Sequence, residues 1–585
     1  MKPIVLAMCV LCSLIGCKKE ANAGGGGTGA TGTGSRGTGS TGTTTTEKPG
    51  PEATAKNPAG CNSDFAEALV ADAALTEKCS PYSVSSELTI DGFALTIEPG
   101  VEIKFADGAA MFVGYGKPGR LMVRGAKEKP VKFTGRAWKG LRLQKDAAGS
   151  SLENLVIENA GTDDQAALIS ETDDATLNGL TFTGAKKTVL DLKGLDRPLK
   201  GLSALELTKA SADPSELIHA SMATAGIFGV GNRFPAGAII WLHGGLESDV
   251  TLGSFGATYR IPEAVGIDPQ EGKTAGLTLK EGVTIELGEN AALNFGYYRG
   301  PAGLKIQGTK EKPVTITRFG EDKAQTPSGG LQLFSGARAP EIDFLVIEYA
   351  GGADKAAFFH GETRGLGKLT NSTFRHLKGE AVRVDASRER FEAFDNNTFE
   401  DVADAALRVP LELAQGLGAN NKFTNTARVT LFGETKKDTT LENIGAPYLV
   451  EGELTVNGAE TKSATLTIAA GNTLLFNDQG KISVSYYAPA KLVAKGTTDK
   501  PITFGKLLAS WGGIGVYGKG TLDLENVVIS GTGDDLWPLD LAEEVTGSVK
   551  KVSLKNTKKG IHSCATKVKP EATADKGVKA VDKCD

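Results

Sequence analysis

Three kinds of residue in this 585-residue chain have the types and spacing to do chemistry. The first is acidic. Asp163-Asp164 and Asp534-Asp535 each follow a strand-like run (LVIENAGTDD, VVISGTGDD), and Asp354 holds the matching place in VIEYAGGADK. Carboxylates gathered at loop tips suit a hard cation, so Asp163, Asp164, Asp354, Asp534 and Asp535 are candidate ligands of a weak Ca2+ site. Against this stands the habit of Asp to end strands in Asx turns, which is the preferred reading. No other cofactor is expected. Asp385, Arg388 and Arg390 in VRVDASRER mix both charges and read as a solvated loop.

The second kind is tyrosine. Eight of the ten tyrosines recur at equivalent places. Tyr82, Tyr259 and Tyr448 sit in PYSV, TYRI and PYLV, where apolar neighbours predict burial. Tyr115, Tyr297, Tyr298, Tyr486 and Tyr487 sit in the Gly/Pro-rich loops YGKPGRL, YYRGPAGL and YYAPAKL. Displayed along one edge of an elongated body, they would form a row of flat amphipathic faces suited to sugar rings or to another protein. They are the candidate ligand-binding residues; the plainer and preferred reading is that each ring packs over its coil corner and hydrogen-bonds locally. No catalytic residue is assigned: the five histidines show no HxH or HExxH spacing, and no GxSxG elbow, P-loop or Rossmann fingerprint is present. A net charge of −5 argues against nucleic acid as a partner.

The third kind is cysteine. Cys9 and Cys12 fall in the opening MKPIVLAMCVLCSLIGCKKE, where Lys2 precedes an apolar run too short to span a bilayer, and which reads as a secretory signal. Beyond Cys17, only Cys61, Cys79, Cys564 and Cys584 remain. Four cysteines allow three pairings, and their placement favours the local pairs Cys61–Cys79 and Cys564–Cys584, one at each end of the folded part.

The elements that must position these residues come from internal repetition. LTIEPGVEIKF (from Leu95), LTLKEGVTIEL (from Leu277) and LTIAAGNTLLF (from Leu466) lie 182 and 189 residues apart. LMVRGAKEKPVKFT, LKIQGTKEKPVTIT and LVAKGTTDKPITFG follow each copy, and then WKGLRL, SGGLQL and WGGIGV. Within a copy, short alternating strands are punctuated by Gly, Pro, Asn and Asp, with almost no helical periodicity. Rungs such as Ser372-Thr-Phe, Asn397-Thr-Phe and Asn421-Lys-Phe recur 25 and 24 residues apart, a coil length. The expected fold is an all-β, right-handed parallel β-helix with three internal repeats, the last truncated, and short helical caps. Phe65, Leu69 and Ala73 at i, i+4 and i+8 suggest a capping helix between Cys61 and Cys79.

The domain reading is residues 1–16 signal peptide, 17–60 Gly/Thr-rich tether, 61–80 N-terminal cap, 81–257, 258–446 and 447–563 the three units, and 564–585 C-terminal cap. The tether explains part of the 75 glycines. Residues 21–50 hold 11 Gly and 9 Thr, a flexible composition.

Two resemblances sharpen this. Leu14-Ile15-Gly16-Cys17 resembles the lipobox of bacterial lipoproteins, which implies lipidation of Cys17 and an outer-membrane anchor facing periplasm or surface. The runs VEIKF, LMVRGAKEKPVKFT, WKGL and IEYAG resemble pectin-lyase-like β-helix proteins, especially lipoproteins. That resemblance implies the fold and says little about activity; taken with the tyrosine loops and the lipobox-like run, the expectation is a lipid-anchored, non-enzymatic envelope protein that binds polysaccharide or another surface protein. The alternative it carries is a polysaccharide lyase or glycoside hydrolase. The GHG and RIK elements of polygalacturonase-like hydrolases are absent.

Overall fold

The computed structural model describes residues 61–584, except residues 62, 66, 230, 299, 353, 354, 419, 425, 426, 460 and 461. The signal peptide 1–16, Cys17, the tether and Asp354 lie outside the described residues. Asn57–Asp585 is one compact unit, to which all that follows refers.

An alternating run must bury one side and wet the other. Leu95 and Ile97, Ile103 and Phe105, and Leu121 and Val123 are all at most 4% exposed, while their neighbours face out. Each strand pairs in parallel with a strand one coil further on: Ile103 with Phe133, Leu141 with Leu168, Leu95 with Leu121. Three strands make a coil, and about 19 coils stack into a right-handed parallel β-solenoid. In the first unit, Glu102–Phe105, Ala110–Val113 and Arg120–Arg124 occupy successive faces of a three-sided prism.

The three units do not stack in phase. Ala110–Val113 lies on a 14-stranded face that runs through Gly140–Leu143, Leu190–Leu192, Ile218–Ser221 and Ala257–Ile261 to Thr284–Leu287. By sequence, however, Thr284–Leu287 is the counterpart of Glu102–Phe105. At the second boundary the same offset recurs. Ala292–Phe295, counterpart of Ala110–Val113, shares its face with Leu407–Pro410, Val429–Thr435, Tyr448–Val456 and Thr473–Phe476, and the last is again the counterpart of Glu102–Phe105. Each of the two full units therefore spans seven coils and one extra face. The solenoid is continuous, but every copy begins one face further round than the one before.

Inward positions meet their like in adjacent coils. Phe374, Phe399 and Phe423 stack with centroids 5.3 Å apart at both steps. Beside them runs a ladder of short polar side chains. Asn421 Oδ1 accepts the Asn397 N–H (2.9 Å), Asn397 Oδ1 accepts the Ser372 N–H (3.1 Å), and Ser372 Oγ accepts the Leu345 N–H (3.1 Å). These buried groups satisfy backbone donors where the chain bends and the sheet ladder is interrupted. Glycine acts at the same kind of place. A Cβ on Gly125, Gly308 or Gly496 would stand 2.2, 2.3 or 2.6 Å from the carbonyl oxygen of Asn154, Phe344 or Asn526 in the next coil, so the three equivalent corners admit only Gly.

Both disulfides form, Cys61–Cys79 and Cys564–Cys584. The expected capping helix does not. The described residues between 61 and 80 hold the short strands Asp64–Phe65 and Ala73–Leu75 and one 3-10 turn, Glu77–Cys79. Phe65, Leu69 and Ala73 fit a helical stripe, but the exposed edge of the first full coil offers Ser83, Val84, Leu95 and Ile97 as strand partners. Pairing with that edge satisfies backbone groups that a helix would leave bare. The C-terminal segment behaves likewise, adding Ala572–Thr573 and Val581–Lys583 to the sheet.

Candidate functional site

The two tyrosine sets separate cleanly. Tyr82, Tyr259 and Tyr448 are buried, and each hydroxyl donates to the carbonyl six residues earlier: Thr76 (3.2 Å), Gly253 (2.9 Å) and Glu442 (2.8 Å). Burial drives the Tyr259 and Tyr448 phenols well above the ordinary range. These rings are framework.

Tyr115, Tyr297, Tyr298, Tyr486 and Tyr487 are between 50% and 84% exposed. Each loop opens with a residue in the left-handed region, Gly114 (φ 68°), Gly296 (φ 64°) and Ser485 (φ 60°), which throws the chain outward after its strand. An Asx residue one coil back then clamps the loop. Asp91 accepts the Tyr115 and Gly116 N–H groups (2.6 and 3.0 Å), Asp268 that of Tyr298 (2.8 Å), and Asn457 that of Tyr487 (3.0 Å). Within each pair the rings meet edge to face, Tyr297 with Tyr298 at 4.2 Å and Tyr486 with Tyr487 at 4.6 Å. The first ring is also braced, Tyr297 by Phe334 (4.6 Å) and Tyr486 by Tyr517 (5.3 Å). The braced ring thus holds up its neighbour, and Tyr298 and Tyr487 are more than 80% exposed. In the first unit Gly116 takes the second position, and the single ring of Tyr115 meets Phe112 edge to face at 6.2 Å.

The phase offset overturns the expected single row. Tyr115 follows the 14-stranded face, Tyr297-Tyr298 follow the next face round, and Tyr486-Tyr487, after Lys481–Val484, follow the one after that. The loops occupy three different corners of the prism. The sequence aligns them because they are equivalent in the unit, but a unit of seven coils and one face turns each onto a new edge.

The described acidic candidates, Asp163, Asp164, Asp534 and Asp535, are exposed. Asp163 pairs with Lys186 (3.5 Å), the Asp164 N–H is taken by Thr162 Oγ1 (3.3 Å), and the Asp535 carbonyl accepts from Lys559 Nζ (2.8 Å). Asp534 is exposed at the same loop tip. Trp138 and Trp511 stack on Phe105 and Phe476 at 4.0 Å and are core.

One charged cluster escaped the sequence reading. Arg383 and Arg408 are register partners in adjacent coils, and Arg408 reaches Glu380 (3.7 Å), Asp385 (3.6 Å) and Glu451 (2.9 Å). Arg383 binds Asp385 at 2.7 Å. Desolvation raises the half-buried Glu380 carboxyl, with Arg383 and Arg408 opposing the shift. Asp385 borders two shallow depressions of ≈ 190 and ≈ 310 Å³. The signal was VRV and LRV one coil length apart. Arg390 is instead spent on the Glu412, Gln415, Asp438 and Thr439 oxygens, and Arg388 is exposed.

No family model, curated protein or solved structure matches this chain.

Proposed function

We propose that this is a lipid-anchored cell-envelope solenoid, related to pectin-lyase-like β-helix lipoproteins, that binds polysaccharide or another surface protein without catalysis. The observation that carries this reading is the display of Tyr115, Tyr298 and Tyr487 on clamped loops: each ring rests on another ring at one edge and still leaves at least 70% of its surface to solvent, a flat face held outward. Aromatic faces held rigid lose little entropy on binding, which suits stacking on sugar rings. Because the loops stand on three corners, they act as separate contacts and can cross-link a polymer or several partners. Anchorage follows from the lipobox-like Leu14–Cys17 segment.

The test is a glycan array and acidic-polysaccharide panel with the full chain, with and without Ca2+, beside the variant Tyr115→Ala/Tyr298→Ala/Tyr487→Ala. Binding lost in that variant at unchanged melting temperature supports the reading; undiminished binding sinks it. Labelled palmitate attaching to the wild type but not to Cys17→Ala checks the anchor.

A second reading, a polysaccharide lyase or glycoside hydrolase, draws on the raised Glu380 beside Asp385 and Arg408. General acids on this chemistry need a raised carboxyl. Release of unsaturated or reducing sugar by the wild type but not by Glu380→Gln would favour it.

A further inference from the structure

We infer that the C-terminal end of the solenoid is a redox-gated site for a thiophilic d10 cation such as zinc, with His562, Cys564 and Cys584 as ligands. Among the described residues these make up the one group of three His, Cys, Asp or Glu side chains whose ligand atoms all lie within 4.8 Å of one another. His562 Nε2 is 3.2 Å from Cys584 Sγ and 3.9 Å from Cys564 Sγ. In a tetrahedral zinc site with ordinary Zn–S and Zn–N lengths, a nitrogen and a sulfur ligand stand about 3.6 Å apart. With the disulfide closed, Nε2 faces both sulfurs at close to this distance, and reduction must part the two sulfurs to about 3.8 Å for them to share a metal.

The surroundings fix the ring for this role. Asp540 and His562 are register partners in adjacent coils, and Asp540 Oδ1 lies 2.8 Å from His562 Nδ1. A carboxylate there accepts the Nδ1 proton and turns the Nε2 lone pair toward the sulfurs, the carboxylate–histidine–metal arrangement of zinc sites. Trp537 stacks on the imidazole at 4.8 Å and 19°, and Lys559 Nζ lies 4.6 Å over the indole, so the ring is held on its face as well as its edge. Cys584 is exposed, which leaves the disulfide open to an attacking thiol and leaves room for a fourth ligand from solvent.

The chemistry balances as follows. A dithiol reductant gives two electrons and two protons to the Cys564–Cys584 disulfide and is itself oxidised to a disulfide. The cation then displaces the two thiol protons and binds two thiolates and the neutral His562 Nε2. In reverse, a disulfide oxidant takes two electrons from the two thiolates and two protons from solvent, becoming a dithiol, while the Cys564–Cys584 bond re-forms and the cation leaves. The gate rests on residues outside both the tyrosine corners and the Glu380 cluster, so it stands or falls apart from the proposed function.

The experiment titrates cobalt(II), as a zinc reporter, into the full chain after reduction with a phosphine and records thiolate-to-metal charge-transfer absorbance, with zinc competition as the second readout. Expected are one cobalt per chain in the reduced wild type and in Cys61→Ser/Cys79→Ser, none in the oxidised protein, and loss of the band in Cys564→Ser/Cys584→Ser. His562→Ala removes the nitrogen ligand and abolishes tight binding. Asp540→Asn, which keeps shape and hydrogen-bonding capacity, weakens affinity about tenfold to a hundredfold. Zinc raises the melting temperature of the reduced wild type and not of the Cys564→Ser/Cys584→Ser variant. The proposal is overturned if the reduced wild type shows no charge-transfer band, if the band survives replacement of Cys564 and Cys584, or if His562→Ala and Asp540→Asn bind cobalt as the wild type does.

Discussion

Two families of tyrosine repeat with the same period and meet opposite fates. Tyr82, Tyr259 and Tyr448 point into the prism and donate to the carbonyl six residues back; Tyr115, Tyr297, Tyr298, Tyr486 and Tyr487 leave it through left-handed corners and are clamped from the coil before. Repetition alone does not separate framework from display. The neighbours do: apolar residues two positions away draw a ring inward, whereas a preceding left-handed Gly or Ser and a following Pro send it out. The comparison also shows that equivalent residues need not be aligned residues. A buried ring is indifferent to which face it occupies, but an exposed one is not, and the extra face per unit spreads the displayed set over three edges.

The largest expected effect separates the sets by stability. Tyr448→Ala removes a fully buried ring and should cost about 3–5 kcal/mol in denaturant unfolding. His360 adds a pH test of the same buried framework. It is fully buried, and desolvation pushes its imidazole down to about 3. The unfolded chain takes up that proton near pH 6.5 and the folded chain does not, so stability should fall as pH drops below about 6.5. His360→Phe should flatten that acid slope in melting temperatures recorded from pH 7 to pH 4.

Smaller effects grade the framework further. Asn397→Ala removes its side-chain bonds to the Ser372 N–H and the Leu369 carbonyl and should cost about 1–3 kcal/mol. Tyr259→Phe loses only the hydroxyl bond to Gly253, about 1 kcal/mol. At the bottom of the scale, Tyr487→Ala should shift stability by no more than about 0.5 kcal/mol, because its ring is 84% exposed. Equal costs for Tyr448→Ala and Tyr487→Ala would erase the distinction.

The coil architecture was legible because period-2 alternation in strands such as Glu102–Phe105 and three aligned copies both record it. The local disulfide pairs were legible from their placement at the two ends. The helical reading of residues 61–80 failed because the stripe at Phe65, Leu69 and Ala73 is a local signal, while the edge it docks on comes from residues 82–97. The phase offset was hidden in the stretches between aligned motifs, such as residues 201–250, where strands are short and a 3-10 turn (Ala225–Ile227) stands among them. The pairing of Arg408 with Glu380, and of His562 with Asp540, leaves no local motif; only the coil register makes neighbours of residues 28 and 22 positions apart.

The most direct test of the central claim is calorimetric titration of a bound polysaccharide or partner into the wild type and three variants, each lacking one corner: Tyr115→Ala, Tyr297→Ala/Tyr298→Ala and Tyr486→Ala/Tyr487→Ala. Three independent corners predict that each variant loses one class of site and keeps the remaining Kd values unchanged. Loss of all binding on removal of any one corner would mean a single continuous surface, and would contradict the placement of the tyrosines on three separate edges.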